Sequence, residues 1–358
     1  MHPKKNNKSH LLSRKALIIL CSVLSVILAV LIGVTAYAES RLGLINRKDP
    51  NQKDETISQS EYDANYHETE SYDPDYTGEV MDSDDIIWDD DVSSLIGAGE
   101  EVVNLMLIGQ DRRPGESRAR SDAMILCTIN TKDKTLTLSS FMRDLYVQIP
   151  GYRDNRINAS YALGGMTLLD ATIEKNFGVH IDGNVEVDYS GFQKAIDILG
   201  GVDIELTSAE ASYLNRRGNW DYNNASAGTW SLTAGVNHLT GEQALAFSRI
   251  RSVGNGDFGR TNRQRVVLSA LLDQVKDMSL KEMDALLQEL LPLVTTDLSN
   301  SQIFATAFQL FPMLTDLEIN TVQIPVEGEY RMTMIDGMSV LLPDLDGNRE
   351  VLKEIMGE

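Results

Sequence analysis

Five arginines fall within 17 residues of the stretch FSRIRSVGNGDFGRTNRQR: Arg249, Arg251, Arg260, Arg263 and Arg265. Arg249 and Arg251 are two apart, so in extended chain they project the same way. Arg260 and Gln264 are four apart and share a helix face. Gly254, Gly256 and Gly259 make the preceding loop pliable, and glycine-rich chain entering a helix leaves backbone N–H groups free for an anion. Guanidinium forks suit phosphate oxygens bidentately. An exposed basic loop paired with surface acids is the plainer alternative. The face that carries Arg260, however, continues into an apolar stripe of Val267, Leu268, Leu271, Leu272 and Val275. Arginines that look inward are costly unless an anion meets them, so the pattern favours an anion site.

Two carboxylates are placed to join them. In NLMLIGQDRR, Asp111 follows by two residues the glycine that ends an apolar run, and in RARSDAMIL, Asp122 stands just before the next run. Sheets of α/β proteins bind ligands in crevices at the carboxyl ends of strands. Two carboxylates with phosphate oxygens and water make a reasonable site for Mg²⁺, or Mn²⁺ in its place; capping a turn or pairing with a neighbouring arginine is the structural alternative for each. The Arg143-Asp144 pair of SFMRD reads, alone, as a salt bridge. The chain has no P-loop, no G-x-S-x-G elbow and no H-E-x-x-H, and its five histidines lie outside these clusters. A histidine-dependent hydrolase is therefore disfavoured. Phosphoryl transfer is the chemistry that fits, because positioning, metal and positive charge suffice for it.

The elements that must hold these residues read as an α/β domain over 102–358, large enough for a core. Strands are expected at Val102–Ile108, Met124–Ile129, Thr135–Ser139, Val185–Val187 and Val202–Leu206. Helices are expected at Thr167–Phe177, Ser190–Leu199 and Gly241–Phe247, with a longer one beginning near Arg260. Residues 280–358 promise one more helix and a last strand, Thr321–Pro325. Alternating strands and helices argue for a three-layer α-β-α sandwich around a mixed sheet.

Ahead of the domain the composition changes twice. Residues 49–101 hold 18 Asp and Glu against one Lys, and such a segment cannot bury enough surface to offset its ordering entropy. We expect an acidic, disordered linker over 39–101. Residues 16–38 carry no charge and suffice to span a bilayer as a helix. The basic tail at 1–15 before it orients the N-terminus to the cytoplasm and the domain to the outside. Ala36-Tyr37-Ala38 resembles a signal-peptidase site, but the apolar run is long for a cleaved signal. The chain carries a net charge of −21, and an exterior so acidic argues against a nucleic-acid partner. Cys21 and Cys127 are its only cysteines, and they are not expected to pair.

The chain resembles the LytR-CpsA-Psr family. The pieces that carry the resemblance are NLMLIGQDRR, RSDAMIL, SFMRDLYVQIPG, RINASYALGG, LGGVDIEL, LTGEQALAFSRIR and GDFGRTNRQR, in that order, over 102 to about 275. The resemblance implies a ligase that moves a glycopolymer, such as a teichoic acid or capsular polysaccharide, from a polyprenyl-pyrophosphate carrier to peptidoglycan. It puts the metal carboxylates on Asp111 and Asp122, and the pyrophosphate arginines on Arg120, Arg143, Arg249, Arg251 and Arg260. Asp257 and Gln264 match the remaining polar site positions, with Asp257 the expected base. It also implies an apolar channel for the prenyl chain. Met142 replaces the usual proline before the Arg-Asp pair, and Arg156 the usual lysine. Two other functions remain open beside transfer: a non-catalytic carrier-binding or regulatory protein, and a polyprenyl-pyrophosphate hydrolase.

Overall fold

The computed structural model describes residues 37–48, 54–66, 78–88, 92, 94–99, 101–110, 118–216, 230–276, 278–313 and 316–358. The expected basic tail and nearly all of the expected membrane span lie outside these residues, and among the described residues no helix is long and apolar enough to cross a membrane. The chain divides into 1–44, where residues 37–42 are helical, and Ile45–Glu358, which contains everything that follows.

The strands in chain order are β1 (Asn46–Arg47), β2 (Val80–Met81), β3 (Val102–Gln110), β4 (Ser121–Asn130), β5 (Thr135–Phe141), β6 (Tyr146–Val147), β7 (Asn155–Arg156), β8 (Gly183–Asp188), β9 (Val202–Leu206), β10 (Gly235–Leu239), β11 (Thr295–Thr296), β12 (Glu318–Ile324), β13 (Tyr330–Ile335) and β14 (Met338–Pro343). Seven form the main sheet in the order β1-β11-β8-β3-β4-β5-β12. It is mixed as expected: β3 is parallel to β8 and antiparallel to β4, and β5 is antiparallel to β4 and parallel to β12.

Both faces of this sheet are apolar, because strand side chains alternate between them. Met106 and Ile108 of β3, with Met124 and Leu126 of β4, join one core. Leu105 and Leu107, with Ile125, Cys127 and Ile129, join the other. Among the described residues of this unit the helices are α1 (Gln59–Asn65), α2 (Ile157–Phe177), α3 (Tyr189–Ile198), α4 (Ser208–Leu214), α5 (Gly241–Ser248), α6 (Gly256–Lys276), α7 (Leu280–Leu290), α8 (Asn300–Leu310) and α9 (Leu345–Met356). The first core is closed by α2 and α9, the second by Leu268 and Leu272 of α6 and Leu310 of α8. A third cluster gathers the β9–β10 ribbon, α4 and α5 around Val267 of α6. The expected apolar stripe of α6 thus serves two cores at once.

The disordered spacer expected over 39–101 is corrected for the residues of it that are described. β1 extends the main sheet beside β11, and β2 pairs with β13. Tyr62 of α1 is fully buried in the first core. The strap before it is fastened to α2 and to the loop ahead of β7: Ile57 N donates to Leu163 O at 3.0 Å, and Tyr152 Oη donates to Ile57 O at 3.0 Å. Asp54 accepts from Thr167 N at 3.2 Å. It sits where α2 kinks at Gly165, whose φ of 65° suits glycine and whose absent Cβ would lie 2.4 Å from the Asp54 carboxylate. The segment is too polar to build a core of its own, so it borrows one.

The C-terminal quarter also holds more than one helix and a last strand. It contains α7, α8, β12, the antiparallel β13–β14 ribbon and α9, which docks on α2 through Leu345, Leu352 and Met356.

Candidate active site

The residues of the site arrive at one edge of the sheet on separate elements. Asp122 is the second residue of β4, where that strand enters the sheet beside the end of β3. Arg143 and Asp144 follow β5 directly. Tyr189 opens α3 at the end of β8. Arg249 caps α5, whose own start is a capping box between Thr240 and Gln243, as the sequence suggested. Asp257 and Arg260 lie in the first turns of α6, which begins at Gly256, a few residues before Arg260. Gly254 and Gly256 have φ of 79° and 57°, so the chain can turn back between Arg251 and α6.

There they meet. Asp122 Oδ1 accepts from Arg143 Nη1 at 3.2 Å and lies 3.5 Å from Arg260 Nη1. Its Oδ2 accepts from Tyr189 Oη at 2.7 Å. Asp257 Oδ1 is shared by three guanidinium groups: Arg260 Nε at 3.2 Å, Arg143 Nε at 3.5 Å and Arg251 Nε at 3.5 Å. None of the three is aligned as a hydrogen bond, so Asp257 Oδ1 holds them by charge. Arg249 stacks its guanidinium on the Tyr189 ring, 4.7 Å from the centroid. Asp144 braces the cluster from behind, 3.4 Å from Arg143 Nε and 3.7 Å from Arg156 Nε.

Charge in this cluster is unbalanced. Among the described residues, Arg143, Arg251 and Arg260 share Asp122 and Asp257, while Asp144 is shared between Arg143 and Arg156. Burial and neighbouring charges together set the proton affinities. Burial alone would raise Asp122, but Arg260, Arg143 and the Tyr189 hydroxyl outweigh it and hold the carboxyl at about 2. Burial works against the charge of Arg143 too, and Asp144, Asp257 and Asp122 more than restore it. Arg260 is only 3 % exposed. It is pushed below the usual arginine value by burial and then by the Arg143 charge, against the pull of Asp122 and Asp257. Arginine still stays protonated there, so the site stores a cation that an incoming anion would relieve.

Of the expected site residues, Arg143, Arg249, Arg251, Asp257, Arg260 and Asp122 converge. Arg120 has its guanidinium 4.7 Å over the Tyr66 ring. Gln264 is half-buried one turn beyond Arg260 and makes no hydrogen bond to the cluster among the described residues. Asp111 lies outside the described residues. Asp257, the expected base, is first of all the clamp for three arginines. Of the other arginines in the loop, Arg263 turns away from the site. It donates to Glu210 Oε1 at 2.7 Å, Ile250 O at 3.1 Å and Val253 O at 2.7 Å, and so ties the loop to α6. Arg265 donates to Val322 O at 3.3 Å, on β12. Tyr189, which touches both the carboxylate and the arginine halves, carried no sequence signal beyond its position after a short strand.

Asp122 is the one expected metal ligand among the described residues. Asp122 is ionised, and of the about four lone-pair positions of a carboxylate Arg143 and the Tyr189 hydroxyl use two, with Arg260 Nη1 3.5 Å away as an ion pair. A hard cation would fit that oxygen set with phosphate oxygens completing it. Among the described residues no group of three His, Cys, Asp or Glu is placed to hold a metal by itself.

The regulatory protein MsrR of Staphylococcus aureus is 29% identical over 261 residues, which is 72% of this chain and 75% of that protein. The polyisoprenyl-teichoic acid–peptidoglycan teichoic acid transferase TagU of Bacillus mycoides is 35% identical over 231 residues, 64% of this chain and 70% of its own length. Among solved structures, Bacillus subtilis TagT superposes with a TM-score of 0.56 at 27% identity, covering 78% of this chain and 96% of that one. TagT with bound octaprenyl pyrophosphate lipid superposes with a TM-score of 0.54 at 26% identity and the same coverage. Residues 58–356 match the LytR_cpsA_psr family, from the strap through to α9, and the chain belongs to that family.

Proposed function

We propose that the protein transfers an anionic glycopolymer, of teichoic acid or capsular type, from a polyprenyl-pyrophosphate carrier to peptidoglycan. The observation that carries this reading is the surplus, among the described residues, of three guanidinium groups (Arg143, Arg251 and Arg260) over the two carboxylates Asp122 and Asp257. A diphosphate matches that surplus in charge and in the bidentate geometry arginine prefers. It is supported by the relatives: TagU is named for this transfer, and TagT has been seen with a polyprenyl pyrophosphate.

In this reading Arg249, Arg251 and Arg143 grip the diphosphate, and Arg260 lends charge from behind. Arg120 and Gln264 contact more distant parts of the substrate. The acceptor sugar hydroxyl attacks the phosphorus next to the glycan, a P–O bond forms as the bond to the carrier phosphate breaks, and polyprenyl phosphate leaves. The arginines stabilise the charge that builds on the departing phosphate. Asp257 Oδ2, which takes part in none of the three ion pairs, is the proton acceptor we assign to the hydroxyl. Asp122, with Asp111, would hold Mg²⁺ or Mn²⁺, which when bound supplies further neutralisation of phosphate charge. The apolar run at 16–38 would anchor the protein with its N-terminus in the cytoplasm and this domain outside, next to carrier and wall.

The test is transfer of a short-chain prenyl-pyrophosphoryl glycan to a peptidoglycan oligomer by the wild type and by Arg251→Ala and Arg251→Lys. Losing one charge-assisted hydrogen bond should lower turnover about ten- to a hundredfold, and lysine should rescue little because it lacks the fork. Equal rates for all three would defeat the assignment. Carrier cleavage without transfer in the wild type would favour the hydrolase. Tight binding without either reaction would favour a carrier-binding role.

A further inference from the structure

Tyr189 stands where the two halves of the site touch. Its hydroxyl donates to Asp122 Oδ2 at 2.7 Å, and its ring lies beneath the Arg249 guanidinium at 4.7 Å. We propose that Tyr189 is a positioning residue that couples the diphosphate-gripping Arg249 to the carboxylate Asp122, so that one rigid side chain sets both. The inference rests on the transfer reading above and adds to it a residue and a division of labour.

The tyrosine is itself held by structure on both sides. It is the first residue of α3, whose N-cap Asp188 accepts from Gly191 N at 2.8 Å. Asp188 is in register with Gln110 at the end of β3, so the helix start is pinned to the sheet edge. α5, which delivers Arg249, is pressed against α3. A Cβ at Gly241 would lie 2.1 Å from Gln193 O, and Gly241 N donates to Asp197 Oδ1 at 2.7 Å. Nothing larger than glycine fits between the helices, and the spacing from Tyr189 to Arg249 follows from that packing. The chemistry suits the place. A cation held over a ring is not hydrogen-bonded to it, so the ring does not consume the N–H donors with which a guanidinium forks onto phosphate. The hydroxyl meanwhile fixes the rotation of the Asp122 carboxylate, which Arg143 and Arg260 would otherwise draw wholly to themselves.

The two contacts can be separated by substitution. Tyr189→Phe keeps the ring under Arg249 and removes the donor to Asp122; Tyr189→Leu removes both. The measurements are the Kd of the full-length protein in detergent for a short-chain prenyl diphosphate by calorimetry, kcat and KM for glycan transfer, and the melting temperature. Tyr189→Phe should bind the diphosphate as the wild type does, while kcat falls about tenfold, the loss expected for one hydrogen bond to a charged group. Tyr189→Leu should lose as much in kcat and also bind about three- to tenfold more weakly, the range of a partly shielded cation–π contact. A wild-type Kd and kcat in both variants would overturn the coupling while leaving the transfer reading intact. Parallel losses of binding, turnover and melting temperature in both would reduce Tyr189 to a packing residue. A wild type that neither binds the diphosphate nor transfers would defeat the transfer reading first, and this inference with it.

Discussion

Asp122 and Asp170 are two shielded aspartates in one domain, and their surroundings drive them in opposite directions. At Asp122, burial is overruled by Arg260, Arg143 and the Tyr189 hydroxyl, and the carboxyl stays ionised down to about pH 2. At Asp170, on α2, burial prevails: the Asn184 hydrogen bond pulls the other way, but the charges of Asp297, Glu174 and Asp54 add to it, and the group titrates at about 8. Asn184 Nδ2 donates at 2.8 Å to both Asp170 and Asp297. One cluster gathers arginines around carboxylates, and among the described residues the guanidinium groups outnumber the carboxylates. The other gathers carboxylates around an amide and resolves the conflict by keeping a proton. Burial marks both sites as unusual, and the sign of the neighbours decides which can receive an anion.

The contrast is tested most severely at Arg260. Its charge is disfavoured where it sits, and Asp122 and Asp257 would keep Arg143, Arg251 and Tyr189 as partners without it. Arg260→Met should therefore cost at least about a hundredfold in transfer with the melting temperature unchanged or higher, as expected where activity is held against stability. A large fall in melting temperature would mean that this arginine serves the fold and not the anion.

Asp122→Asn should also remove most of the transfer activity, and its stability effect should depend on pH. A depressed carboxyl contributes stability above its unfolded value near 4, and that contribution disappears as pH falls through about 2. Denaturant titrations should show wild type ahead of the variant by about 2 kcal/mol at neutral pH, with the gap closing between pH 4 and 2. A gap that persists at pH 2 would place its origin in packing.

Asp170→Asn should act with the opposite sign and leave activity alone. A raised carboxyl keeps its proton in the folded state while the unfolded chain has lost it, so wild-type stability falls as pH rises from about 4 to about 8. The slope is up to about 1.4 kcal/mol per pH unit. The amide variant should flatten it, and an unchanged slope in the variant would show that Asp170 is not the group responsible.

The parts of this protein that were legible in its sequence are those whose signal is local. The apolar runs of β3 and β4, the glycine at the end of α2 and the capping box of α5 all follow from neighbours a few residues away. So did the crowding of Arg249, Arg251, Arg260 and Asp257 into one short stretch. Contacts between distant segments left no such trace. Arg263 looked like one more anion-binding arginine until Glu210, 53 residues earlier in the chain, proved to be its partner. Residues 54–66 read as solvated spacer because composition measures only what a segment can bury by itself, whereas Tyr62 buries against α2, about a hundred residues on. Tyr189 is one tyrosine among twelve in the sequence, and its role exists only because a tight α3–α5 packing brings Arg249 above it and β4 brings Asp122 beside it. Residue types and spacing determined which chemistry the chain was equipped for. Tertiary structure alone decided which charges meet and which are neutralised elsewhere, because electrostatic interactions depend on distance in space and on burial, neither of which follows from separation along the chain.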